Sequence, residues 1–125
     1  MGEDVPRPVK SFAHFGFDDR LMNAIKKENF AEPTPIQKQA VPVALSGRDV
    51  IGIAKTGSGK TAAFAWPLLV HLMAQRELER GEGPIAVILA PTREVAHQIY
   101  LETTKFARGY GVRYTRTAAA ATTTT

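Results

Sequence analysis

The octapeptide A-K-T-G-S-G-K-T, residues 54–61, constrains this chain more than any other stretch. It stands between the apolar runs DVIGI and AAFAWPLL, which puts a strand, a glycine-rich turn and a helix in that order. Phosphate oxygens need several backbone N–H donors converging on them. That takes glycines for a tight curl, a helix N-terminus behind the curl, and a lysine that reaches the outer phosphates. Gly57 and Gly59 supply the curl, Lys60 the charge and Thr61 a hydroxyl suited to Mg²⁺. With average residue usage, a chance match at these four positions is on the order of a few per thousand. A plain glycine-rich connector would leave the flanking strand and helix without a reason.

Around the loop the chain reads as alternating strands and helices. Asp18 caps a helix through about Asn29 that buries Leu21, Met22 and Ile25. A second helix follows, with Thr34 as N-cap, Pro35 at its first position and Gly47 as its stop. The first strand covers about Asp49 to Ala54, and the helix after the loop runs from about Gly59 to Leu78 with Pro67 kinking it. IAVILA, Ile85 to Ala90, is a second strand whose continuous apolar character suits a sheet buried on both faces. A last helix runs from Thr92 to about Arg108, with Val95, Ala96, Ile99, Tyr100, Thr103, Phe106 and Ala107 at helical spacing. VRYTRTAAAATTTT starts like a third strand and decays into low complexity. Strand, helix, strand, helix is a βαβ plan.

Composition narrows the partners only slightly. The 125 residues carry a net charge of +4, compatible with an anionic partner such as nucleic acid. Cysteine is absent, so there is neither a disulfide framework nor a thiolate metal site, and His14, His71 and His97 lack ligand spacing. The polar start MGEDVPRPVK does not read as a signal peptide. The longest apolar run, Ala62 to Val70, is about half of the ~20 residues a bilayer demands. The expectation is an intracellular soluble chain.

Three stretches resemble one family, the DEAD-box ATP-dependent RNA helicases of superfamily 2. The loop has Ala54 where the general phosphate-loop motif has glycine, and A-x-x-G-x-G-K-T is the form common in those helicases rather than in GTPases or small-molecule kinases. NFAEPTPIQ, Asn29 to Gln37, is similar to their Q motif, with Phe12 upstream at the place of an isolated aromatic. PTREVA, Pro91 to Ala96, is similar to their motif Ia. The resemblance covers roughly Phe12 to Tyr114, and VPVALSGRDVIGIAKTGSGKTAAF looks closest to an animal, spliceosome-associated member. Asn29 in place of the usual glycine and Val95 in place of the usual leucine are mild departures.

The resemblance implies an α/β, RecA-like P-loop NTPase fold, here a partial parallel sheet with flanking helices. Residues 1–11 would be an extended lead-in, 12–117 the N-terminal part of the first RecA-like domain, and 118–125 a low-complexity or non-native tail. The implied cofactors are ATP and Mg²⁺. Ala54, Thr56, Gly57, Ser58, Gly59, Lys60 and Thr61 would hold the phosphates, Thr61 also the Mg²⁺, and Gln37 with Phe12 the adenine. Pro91, Thr92, Arg93 and Glu94 would meet an RNA backbone.

The residues alone also allow a plainer account. T-x-x-Q at Thr34 and Gln37 is a capping box. Phe12 is then a core residue, Thr92 an N-cap, and Arg93 with Glu94 a solvated first turn.

No aspartate follows Asp49, so the metal-holding carboxylate that hydrolysis requires is missing from the sequence, as are D-E-A-D, S-A-T and an arginine finger. In the related fold, strands from later sequence lie between the two seen here. The expectation is therefore a truncated first domain that binds nucleotide at most, marginal in stability and prone to pair through its strand edges. Its parent would unwind or remodel RNA with a second RecA-like domain, in the nucleus or else the cytoplasm. The rival reading is a non-catalytic nucleotide-binding, RNA-binding or interaction module on the same scaffold.

Overall fold

The computed structural model describes residues 5–8, 10–55, 57, 59–76, 79–82 and 84–110. Four α-helices carry the core: α1 Asp19–Lys27, α2 Pro35–Leu45, α3 Lys60–Met73 and α4 Arg93–Ala107. Single 3-10 turns stand at Phe12–Phe15 and Arg108–Tyr110, neither of them marked by the sequence pattern.

The helix ends follow local chemistry. Asp18 Oδ1 accepts the Leu21 N–H at 3.0 Å and opens α1. The helix stops at Lys27 rather than Asn29 because Asn29 turns left-handed, with φ 62°. From there the N–H groups of Asn29 and Phe30 fold back to the carbonyls of Lys26 and Ile25, at 3.0 and 3.4 Å. This is a Schellman closure, whose left-handed position favours glycine and, after it, asparagine. Asn29 can therefore stand where the family's pattern has glycine. Pro35 opens α2 as expected, and Gly47 closes it with φ 86° and an N–H to the Ala44 carbonyl at 3.0 Å. α3 runs through a buried Pro67 and ends at Met73 rather than Leu78, where the apolar spacing gives way to Gln75 and Arg76.

The core forms around Trp66 of α3, which is fully buried. Five of the six phenylalanines surround it: Phe12 at 5.5 Å between ring centroids, Phe106 at 5.6, Phe30 at 5.9, Phe17 at 6.0 and Phe15 at 6.3 Å. Such pairs contribute about 0.5–1.5 kcal/mol each beyond the area they bury. Leu21, Ile25, Val41 and Leu69 complete the cluster. The segment ahead of α2 is held by this packing from Phe12 onward, its aromatics gathered around Trp66.

Neither expected strand forms among the described residues. Asp49–Ala54 and Ile85–Ala90 run without ladder pairing, and Ile51, Ile53 and Leu89 are 93%, 92% and 84% exposed. A helix closes its hydrogen bonds within one segment, whereas a strand exists only against a neighbour. α4 shows the consequence. Phe106 and Ala107 are buried, while Val95, Ala96, Ile99 and Tyr100 nearer its start are only partly covered. The expected third strand at 112–114 and the tail 118–125 lie outside the described residues.

The start of α1 is tied to the last described residue at Asp18. Tyr110 donates its hydroxyl to Asp18 Oδ1 at 2.6 Å. The Arg20 guanidinium lies 4.6 Å from the Tyr110 ring centroid and 3.7 Å from Asp18 Oδ2. The tyrosine hydroxyl is the main cause that holds the Asp18 carboxyl below its ordinary value, helped by the Leu21 N–H and Arg20 against some desolvation. Burial first, then the bond to Asp18, pushes the Tyr110 phenol above its usual range.

A carboxyl lowered on folding stabilises above its unfolded pKa of about 4 and loses that contribution as pH falls through the folded value. A phenol raised on folding stabilises below about 10 and loses it as pH rises. We expect unfolding midpoints, followed by Trp66 fluorescence, to be flat for this pair between those limits and to drop outside them. Tyr110→Phe should lower the plateau and shrink the acid-side drop. An unchanged acid slope in that variant would show the pair to be uncoupled from folding.

Candidate nucleotide-binding site

The loop has the backbone a phosphate cradle requires. Gly57 and Gly59 are left-handed, with φ 83° and 86°, and α3 begins at Lys60 directly after them. Gly59 is the N-cap of α3 and carries no side chain, so nothing of its own closes the helix start. Its carbonyl accepts the first intrahelical bond, from Ala63 N–H at 3.2 Å, and the N–H groups of Lys60, Thr61 and Ala62 ahead of it have no intrahelical acceptor. Lys60 is exposed and Thr61 partly so. A positive helix end, open N–H donors and a free ammonium at one place attract a polyanion. Ala54 is partly buried at the loop's entry, and Thr56 and Ser58 lie outside the described residues.

Gln37 ties α2 to this loop. Its Oε1 accepts the Thr34 N–H at 3.0 Å, as the capping box predicts, and its Nε2 donates to the Gly59 carbonyl at 3.1 Å across 22 positions of sequence. The side chain is 1% exposed. The other half of the box is in place, with Thr34 Oγ1 turned to the Gln37 N–H, but its geometry falls short of a full hydrogen bond and leaves that buried oxygen poorly satisfied. Both residues press on the loop. A Cβ built at Gly59 would collide with Gln37 Nε2 and stand 3.1 Å from Thr34 Oγ1.

The remaining sequence candidates are placed elsewhere. Phe12 is a core residue, edge-on to Trp66 and Phe15, so the base-stacking face that the resemblance implies is not offered here. Pro91, Thr92, Arg93 and Glu94 form a separate exposed corner at the start of α4. There Thr92 Oγ1 accepts the Val95 N–H at 3.1 Å, the N-cap role its residue type suggests. The Gln37–Gly59 contact and the poorly satisfied Thr34 hydroxyl had no sequence signal beyond the box itself. A bond between residues 37 and 59 depends on how two helices pack.

The DEAD/DEAH box helicase family matches residues 34–125. ATP-dependent RNA helicase DDX42 of Mus musculus and of Homo sapiens are each 63% identical over 112 residues, which make up 90% of this chain and 12% of each relative. DEAD-box ATP-dependent RNA helicase 24 of Oryza sativa subsp. japonica is 66% identical over 112 residues, 90% of this chain and 14% of that protein. Among solved structures, the RNA-helicase Prp28 from Chaetomium thermophilum bound to ADP superposes with a TM-score of 0.88 at 43% identity, covering 98% of this chain and 30% of that one.

The chain belongs to the DEAD/DEAH box helicase family. It spans about an eighth of the length of the curated relatives it matches.

Proposed function

We propose that this chain is the ATP-binding portion of an ATP-dependent RNA helicase, the N-terminal part of a first RecA-like domain. One observation carries the reading: two left-handed glycines open α3 at Lys60 while a buried glutamine amide grips the Gly59 carbonyl. The described donors fit a nucleotide polyphosphate. The backbone N–H groups at the start of α3 and the Lys60 ammonium would take its oxygens, and the Thr61 hydroxyl would face Mg²⁺. Among the described residues no three His, Asp or Glu side chains gather to hold a metal, so the ion would be shared between Thr61 and the nucleotide's own oxygens. When bound, ATP supplies the phosphoryl group whose transfer drives strand separation. This chain's residues bind and orient it.

Gln37 can read the adenine only with what its existing bonds leave. A primary amide has two N–H donors and two acceptor lone pairs. One of each is in use, at Gly59 and Thr34. The remaining N–H and lone pair are the complement an adenine edge requires, so base recognition would bear on the same side chain that holds the loop.

Arg93, with the first-turn N–H groups of α4 beside Pro91, Thr92 and Glu94, would contact an RNA sugar-phosphate backbone without reading bases. VIGIA and IAVILA would be strands of a parallel sheet completed by later sequence, with a second RecA-like domain beyond it.

Titration with ATP and GTP tests this reading. Lys60→Ala removes a charge-assisted contact worth about 1.5–3 kcal/mol, which is about 10- to 100-fold in ATP affinity. Gln37→Ala should bring ATP and GTP affinities together. Equal affinities in the unsubstituted chain would end the case for adenine recognition, and undiminished ATP binding in Lys60→Ala would end the case for the phosphate loop.

A further inference from the structure

Two hydrogen bonds cross between α2 and α3, one toward each end of the pair. Near the loop, Gln37 Nε2 donates to Gly59 O at 3.1 Å. At the far end, His71 in the last turn of α3 lies with Nε2 3.1 Å from the Ala44 carbonyl of α2. A carbonyl only accepts, so Nε2 carries the proton and the imidazole donates. At 1.5 Å of rise per residue, Ala44 is about 10 Å along α2 from Gln37, and His71 about 17 Å along α3 from Lys60.

The Ala44 carbonyl belongs to the last turn of α2, where carbonyls have no intrahelical donor, and it takes the Gly47 N–H and the His71 N–H in their place. α2 has cause to need outside support there. Pro42 lies inside it without an N–H, which removes the donor owed to the Lys38 carbonyl.

Val41, on α2 between the two bonds, is fully buried in the same cluster as Trp66, and that burial sets which face of α2 turns inward. Burial alone leaves the far end of α2 room for small shifts that the bond at Ala44 removes. Pinned also at Ala44, it keeps the placement in which Gln37, already tied to Thr34 within its own helix, reaches the Gly59 carbonyl.

We propose that His71 is a positioning residue for the nucleotide-binding loop, holding α2 from its far end in the placement that lets Gln37 grip Gly59. This rests on the nucleotide-binding reading above. His71 is exposed and outside the core, so its variants should fold, which the Trp66 fluorescence midpoint checks.

The test is a double-mutant cycle on the full chain with Mg-ATP as the probe. His71→Ala should weaken ATP about 3- to 10-fold, as loss of one neutral hydrogen bond allows. His71→Gln, whose amide can donate to Ala44, should restore affinity to within about 2-fold. In a Gln37→Ala background the His71→Ala effect should fall below about 2-fold, because the device it supports is gone. Equal losses in both backgrounds would overturn the proposal, since residues that act independently add, and so would failure of His71→Gln to restore binding.

Should the unsubstituted chain bind no ATP, the nucleotide reading fails on its own account. Hydrogen exchange then decides the role of His71. Faster exchange of the Ala63 amide, which shares the Gly59 carbonyl with Gln37, in His71→Ala would support the positioning. Unchanged Ala63 protection would overturn it.

Discussion

Gly59→Ala should destabilise the chain by about 2–4 kcal/mol, and Gly57→Ala by only about 1 kcal/mol, in urea titrations followed by Trp66 fluorescence. Both glycines are left-handed, at φ 86° and 83°, a conformation that costs a residue with a Cβ about 1–2 kcal/mol. They differ in what surrounds them. A Cβ at Gly57 meets nothing within 4 Å, whereas one at Gly59 runs into Gln37 Nε2 and crowds Thr34 Oγ1. Displacing Gln37 breaks its bonds to the Gly59 carbonyl and the Thr34 N–H. Buried polar groups left unpaired cost about 1–3 kcal/mol. Equal destabilisation by the two substitutions would mean that Gln37 does not hold the loop, and the link from α2 to the phosphate site would have to be abandoned.

The second large effect concerns self-association. Ile51, Ile53 and Leu89 stand almost fully exposed on segments as apolar as any buried strand. Their backbone N–H and C=O groups, without ladder partners among the described residues, are a template for another chain. Ile53→Lys with Leu89→Lys should sharply reduce light scattering at high protein concentration. The unfolding midpoint should move by no more than about 0.5 kcal/mol, the usual range for surface positions. Leu69→Ala, at a side chain 1% exposed, should by contrast cost about 2–5 kcal/mol. A loss of 2 kcal/mol or more from the lysine pair would show these segments to be buried in the cooperative unit. Extending the chain with the later strands of a relative should remove the association and raise the melting temperature.

The four helices were legible because their signals are local. Asp18 bonds three residues on, the Thr34–Gln37 box spans one turn, Pro35 needs only its own missing N–H, and Thr92 caps Val95. The phosphate loop was legible for the same reason, since its curl is set by glycines within a few positions of Lys60. Helix ends slipped where a single backbone reversal intervened, as at Asn29.

What the sequence by itself determined was therefore each helix, each cap and the loop that opens α3. The tertiary structure alone decided the bond from Gln37 to Gly59, the hydroxyl of Tyr110 reaching Asp18 across 92 positions, and the closing of five phenylalanines on Trp66, which took Phe12 into the core. Among the described residues VIGIA and IAVILA find no ladder partner. The physical reason is range. A helix satisfies its own backbone within four residues and can be written locally, while a strand, an aromatic cluster or a side chain gripping a distant carbonyl takes its partner from wherever the chain's other segments come to rest.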